Sequence, residues 1–258
     1  MKRKMLVLIL FLICPFIANA SNNESLNEEE YKLISSNEKY FKTTNVISNV
    51  STFNNEINDN KIILSYTTEI TKEEYNSVEN KDEIQPYGSS NIVETNYKKL
   101  TVSILENGSA YRYRAVLNWK NIPSVRSSDI ITIGFYQSVK AVNVNYQTDY
   151  CLTTGVCSTL KDFVRKNTST GAGAVFQLPS ASNVSSIKNT LTLDIAKNVS
   201  DATIIEQLAV ADYAHAIKKI SSTDANKYTI GISGLTHQCT SSYFDTTPSV
   251  STSIKCNW

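Results

Sequence analysis

Histidine is nearly absent from this chain, which has two in 258 residues, His215 and His237. Any chemistry that needs an imidazole must use one of them. A Ser-His-Asp hydrolase also needs a nucleophile on a sharp elbow, and Gly231-Ile232-Ser233-Gly234-Leu235 lacks the final glycine of that turn. Asp212 precedes His215 by three residues, so on a strand the two side chains would point to opposite faces. A zinc site from His215, His237 and Cys239 would lack the paired Cys-x-x-Cys spacing of structural zinc. Glycine is also scarce, at eight residues, and forms no phosphate-cradling loop, no EF-hand loop and no dinucleotide fingerprint. The acids after residue 90 contain no pair that spacing singles out as glycosidase carboxylates. These absences favour a protein that is not an enzyme and takes no cofactor.

Charge of one sign is missing as well. The formal net charge is +1, and the basic residues form no stripe with interleaved aromatics, which argues against nucleic-acid binding. The only long apolar run is Met5–Ile17, shorter than the roughly 20 residues a membrane helix needs. It follows Lys2-Arg3-Lys4 and ends at Ala18-Asn19-Ala20, the three-part layout of a secretory signal, with cleavage expected after Ala20. Cys14 is preceded by Ile13 and followed by Pro15, an unsuitable context for lipid attachment, so it is expected to leave with the signal. The chain ends at Trp258 without an apolar segment and basic tail of a wall-sorting signal, so the expected destination is the extracellular medium.

Export changes the meaning of the cysteines. Cys151, Cys157, Cys239 and Cys256 follow the signal, and an even number in a secreted chain reads as two disulfides. The pairing Cys151–Cys157 and Cys239–Cys256 joins residues close in sequence, each pair bracketing a turn-rich segment.

Residues 21–90 carry thirteen acidic against six basic side chains, whereas the remainder is net basic. This split, with the polar composition up to about Asn60 and the punctuation of Pro86 and Gly88, marks 1–20 as signal, 21–88 as an acidic leader and 89–258 as the folded domain. Within the leader, Lys61–Glu69 has strand-like content. Thr71 with Glu74 has the form of a capping box for a short helix to about Val78.

Beyond residue 90 the pattern alternates. Leu100, Val102 and Ile104 share a face, Asn107-Gly108-Ser109 supplies a turn, and Tyr111, Tyr113, Ala115, Leu117 and Trp119 share the next face, which together predict a hairpin. Further strands are expected at Asp129–Phe135, Val139–Tyr150, Ala174–Leu178, Leu191–Ala196, Lys227–Ser233 and Ser249–Lys255. Ala202–Ile220 is rich in helix formers and fits neither period cleanly, but its all-β surroundings favour strand. The fold class predicted is all-β, an antiparallel β-sandwich, preceded by a leader able to add one strand and one short helix.

The runs Tyr97-Lys98-Lys99-Leu100-Thr101-Val102, Leu117-Asn118-Trp119-Lys120-Asn121-Ile122-Pro123 and Arg126-Ser127-Ser128-Asp129-Ile130-Ile131, with Asp212-Tyr213-Ala214-His215-Ala216, resemble a family of small secreted Gram-positive bacterial proteins of unknown function, over about residues 90–235. The resemblance implies export and β structure and no mechanism, and the four cysteines lie outside its pattern. Arg126 and Asp129, flanking one turn, are expected to pair.

The function expected is that of an extracellular binding module for a glycan, cell wall or protein. Its candidate contacts are Tyr111 and Tyr113, with Tyr136, Tyr146 and Tyr150, because tyrosine offers area and a hydroxyl at low entropic cost. Tyr111 and Tyr113 also share a face with Leu117 and Trp119, the pattern of a core. The long amphipathic strands leave a β-type pore-forming toxin as the alternative, although the chain lacks a glycine-rich insertion loop. A secreted hydrolase is the weaker one.

Overall fold

The structure, a computed structural model, describes residues 31–48, 61–78, 83–87, 91–198, 204–236 and 243–257. The expected signal segment, Cys14, His237 and Cys239 therefore lie outside the described residues, and with them the expected Cys239–Cys256 bridge. The first half contains β1 (Lys32–Ser48), β2 (Lys61–Ile70), α1 (Lys72–Ser77), β3 (Glu83–Tyr87), β4 (Asn91–Asn107), β5 (Ala110–Trp119), β6 (Ser128–Gly134) and β7 (Val139–Leu152). The second contains β8 (Cys157–Leu160), β9 (Val164–Thr168), β10 (Gly171–Gln177), β11 (Val184–Lys197), β12 (Ile204–Ala216), α2 (Ser222–Ala225), β13 (Thr229–Gly231), β14 (Gly234–Thr236), β15 (Phe244–Thr246) and β16 (Val250–Asn257).

The expected hairpin is β4–β5. It pairs Leu100 with Leu117 and Ile104 with Tyr113, and its corner needs Gly108, whose φ of +58° an L side chain rarely adopts. Period-two alternation puts Tyr111, Tyr113, Ala115, Leu117 and Trp119 inside. The hairpin lies within an antiparallel sheet ordered β2-β1-β4-β5-β11-β7-β8, with β3 also beside β4. A second sheet runs β15-β12-β6-β10-β9, with β16 also beside β12. Leu100, Val102, Ile104, Leu191 and Leu193 of the first sheet belong to one buried cluster with Ile131, Ile133, Ala172, Ala174 and Tyr213 of the second. Burying each large apolar side chain there contributes about 1.5–3 kcal/mol. The fold is an all-β sandwich, and Cys151–Cys157 clips β7 to β8.

Two expectations need correction. The span read as a leader able to add one strand contributes β1, β2 and β3 among its described residues, and β1 pairs with β4 along almost its whole length and with β2 on its other side. Tyr31–Trp258 forms a single compact unit. The inward positions of β1 are Phe41, Thr43 and Asn45, two of them polar, so hydrophobic periodicity understates a strand that is buried. Thr71 is the N-cap as read, its hydroxyl accepting from Glu74 N at 3.1 Å, and α1 follows. The second correction is that Arg126 does not pair with Asp129. Its Nη1 donates to the carbonyls of Pro179 and Ala181, while Asp129 turns inward.

The ambiguous 202–220 segment contains the strand β12. Gln207, Ala209, Ala211, Tyr213 and His215 alternate on it and are buried; Tyr213, Ala209 and Ala211 join the main core. Ala214 and Ala216, on its other face, are buried in a second cluster with Ile130, Val175, Ala225, Tyr228, Ile230 and Phe244. A strand covered on both faces loses the polar-apolar alternation by which strands are recognised.

Candidate functional site

Tyr111 and Tyr113 are 3% and 0% exposed, so neither ring offers surface to a ligand. The Tyr113 hydroxyl donates to Gln207 Oε1 at 3.0 Å inside the sandwich. Burial raises the pKa of both phenols, as it must for groups whose charged form is cut off from water. Their role is the core role that Leu117 and Trp119 already suggested. Tyr146 is buried too, stacked on Phe176, and Tyr150 is half-buried against the same core. Cys256 sits near this region, its sulfur accepting from Gln207 Nε2 at 2.9 Å.

Tyr136 is the exception. It borders an open cleft of about 440 Å³ whose other walls are Leu208, Val210, Ile232, Ser233, Ser249 and Ser251. Leu208 and Val210 are two apart on β12 and so face the same way. Ser251 comes from β16, Ser249 from the residues just before it, and Ile232-Ser233 from the turn between β13 and β14. Ile232 is among the exposed large apolar side chains. None of the lining residues carries a charge.

The β13–β14 wall is held from beneath. A Cβ at Gly134 would fall 2.5 Å from the Gly231 carbonyl, so glycine there lets the hairpin lie flat on β6. Asp212 Oδ2 accepts from Leu235 N at 2.6 Å. Burial pushes the Asp212 pKa up to about 6, against the opposing hydrogen bonds from Ser249 and Leu235 N. Asp212 and His215 do point apart, the first to this hairpin and the second to Asp129, so they do not assemble a triad.

A second polar grouping lies inside the sandwich. Lys98 Nζ of β4 and Asp245 Oδ2 of β15 are 3.1 Å apart, with side chains 0% and 5% exposed. Thr43 and Thr67 donate to the same carboxylate oxygen. The ammonium lies 5.2 Å from the Trp119 ring centroid and 5.7 Å from that of Tyr213. Beside it, Asp129 accepts from the Tyr213 hydroxyl, from Ala216 N at 2.9 Å and engages His215 Nδ1 at 3.0 Å. His215 is opposite Asp245 in the β12–β15 register. Burial raises the Asp245 pKa, but the Lys98 charge and the bonds from Thr67 and Lys98 outweigh it and leave the group below its usual range. Solvent does not reach this grouping, so no external substrate does.

Sequence reading missed this cluster, although Lys98 stands in phase with the inward Leu100, Val102 and Ile104. Among the described residues no group of three or more His, Cys, Asp or Glu side chains could hold a metal ion, and no helix is long and apolar enough to cross a membrane.

No protein-family model matches the chain, and no curated protein matches it in sequence. Among solved structures, the major pilin SpaD of Corynebacterium diphtheriae matches at 11% identity and TM-score 0.26, over 69% of this chain and 55% of that one. The N-terminal domain of the Streptococcus gordonii adhesin Sgo0707 matches at 11% and 0.31, over 86% and 56%. The collagen-binding domain of the Erysipelothrix rhusiopathiae surface protein RspB matches at 9% and 0.26, over 67% and 72%. The chain thus spans little more than half of the first two. At such overlap these matches carry no argument about this chain.

Proposed function

We propose that the protein is an exported, non-catalytic binding module and that the Tyr136 cleft is its contact surface. The observation that carries this reading is the lining: one aromatic ring, three aliphatic side chains and three serines, all uncharged, around a cleft open to solvent. A ring that stacks beside hydroxyls that donate and accept suits a neutral, hydroxyl-rich chain such as a cell-wall glycan. The Cys151–Cys157 disulfide fits an oxidising compartment, and residues 1–20 are read as the segment removed on export.

The test is sedimentation with purified peptidoglycan and with neutral polysaccharides. Saturable binding that Tyr136→Ala weakens roughly tenfold, about 1.4 kcal/mol, supports the cleft, provided the variant melts like the parent. Binding unaffected by Tyr136→Ala and Ser251→Val would move the contact elsewhere. Leakage from liposomes by the unmodified protein would overturn the module in favour of a membrane-active one.

A further inference from the structure

The Lys98–Asp245 cluster is closed to any outside molecule, but its two reactive groups already touch. A primary amine and a carboxyl 3.1 Å apart, both withdrawn from water and held by opposite sheets of the sandwich, are the two halves of an amide. We propose that Lys98 Nζ and Asp245 Cγ join in an intramolecular isopeptide bond that ties β4 to β15 across 147 residues of sequence.

The step balances without any further reactant. The ammonium gives one proton to the adjacent carboxylate, leaving a neutral amine and a carboxylic acid. The nitrogen lone pair attacks Cγ, and the Cγ–O bond then breaks as that oxygen takes up a second proton from nitrogen. The products are one amide and one water. The ion pair is the resting arrangement, since the Lys98 charge and the bonds from Thr67 and Lys98 hold Asp245 below its usual range against the effect of burial, and the neutral pair is the less populated form from which the attack proceeds. The aromatic walls of Trp119 and Tyr213 exclude the water that would reverse the reaction.

Position does most of the rest. Groups held in contact react with effective molarities of about 10⁵–10⁸ M. Asp245 is fixed by the Thr43 and Thr67 hydroxyls, and Lys98 by its strand and the two rings. The protons need a carrier, and His215 is placed for it. It faces Asp245 in register, its Nδ1 is engaged with Asp129, and its Nε2 is buried with no hydrogen-bond partner among the described residues.

Intact-mass spectrometry of the purified, reduced full chain tests this directly. The expected mass is lower than that of the sequence by one water. Asp245→Asn is expected to lose one ammonia instead, while Lys98→Met and Asp245→Ala keep their full masses. Peptide mapping should recover a branched species joining the peptides that contain Lys98 and Asp245. After full denaturation and reduction, the parent should migrate faster on a gel than Lys98→Met, a readout that does not require the variant to fold. A parent of unreduced mass, or a water lost at any other site, overturns the proposal and leaves an ion pair.

Discussion

Asp212 lies directly beneath Gly234: a Cβ built at Gly234 would fall 1.5 Å from Asp212 Oδ2, the oxygen that accepts the Leu235 N–H. Gly234 also has φ +96°, so the position excludes an L side chain on two grounds. The cleft wall and the buried acid are thus one construction, and a change in either is felt by the other.

Gly234→Ala should therefore destabilise the fold, by about 1–3 kcal/mol from the backbone alone, with displacement of Asp212 added. Gly231→Ala is the matched control, since at that position a Cβ finds nothing nearer than 4.0 Å. Urea denaturation of both should show a lowered midpoint for the first and a near-parental one for the second. Equal midpoints would mean that the hairpin does not rest on Asp212.

The raised pKa of Asp212 gives a pH dependence of defined sign. With the folded-state value near 6, above that of an unfolded aspartate, the fold favours the protonated acid. Its contribution is fully present below about pH 4 and is lost as pH rises through 6, on the order of 3 kcal/mol in all. Asp212→Asn keeps an acceptor for Leu235 N and does not titrate. The difference in stability between parent and variant should move in the variant's favour from pH 4 to 7, and a flat difference would refute the assignment.

The leader reading predicts a stable fragment beginning at Ser89, whereas the pairing of β1 with β4 predicts the opposite. Deleting the residues before Ser89 removes β1 and β2, and with them buried Phe41 and the Thr43 and Thr67 hydroxyls that satisfy Asp245. The shortened chain is expected to fail to fold, read as loss of a cooperative thermal transition. A cooperative melt from residues 89–258 would show that β1 and β2 are appendages.

How far the sequence could be read follows from where each face points. The β4–β5 hairpin was legible because one face is apolar and its turn is Asn-Gly. Strand β1 was not, because Thr43 and Asn45 occupy inward positions and meet polar partners there: Asp245 for the first, Glu94 and Ser65 for the second. Tyr111 and Tyr113 are buried, and the cleft that Tyr136 borders draws its residues from separate elements between positions 136 and 251, an assembly that no local pattern records. The buried pair left one visible trace, a lysine in phase with the apolar Leu100, Val102 and Ile104. Its partner Asp245 belongs to a short strand in a polar stretch, where nothing local marks it as buried.

The Lys98–Asp245 pair should also show in energetics. Asp245→Ala leaves an ammonium buried without its carboxylate, and removing one member of a buried pair typically costs about 3–5 kcal/mol. Lys98→Met keeps the length of the stem and its contacts with Trp119 and Tyr213 but leaves the carboxylate to Thr43 and Thr67 alone. Combining Lys98→Met with Asp245→Ala removes both charges and closes the cycle. The double variant is expected to lose less stability than the sum of Lys98→Met and Asp245→Ala, because neither charge remains buried alone. Urea denaturation of the four proteins measures this. Strict additivity would mean that the two residues do not interact, by charge or by bond, in the folded protein.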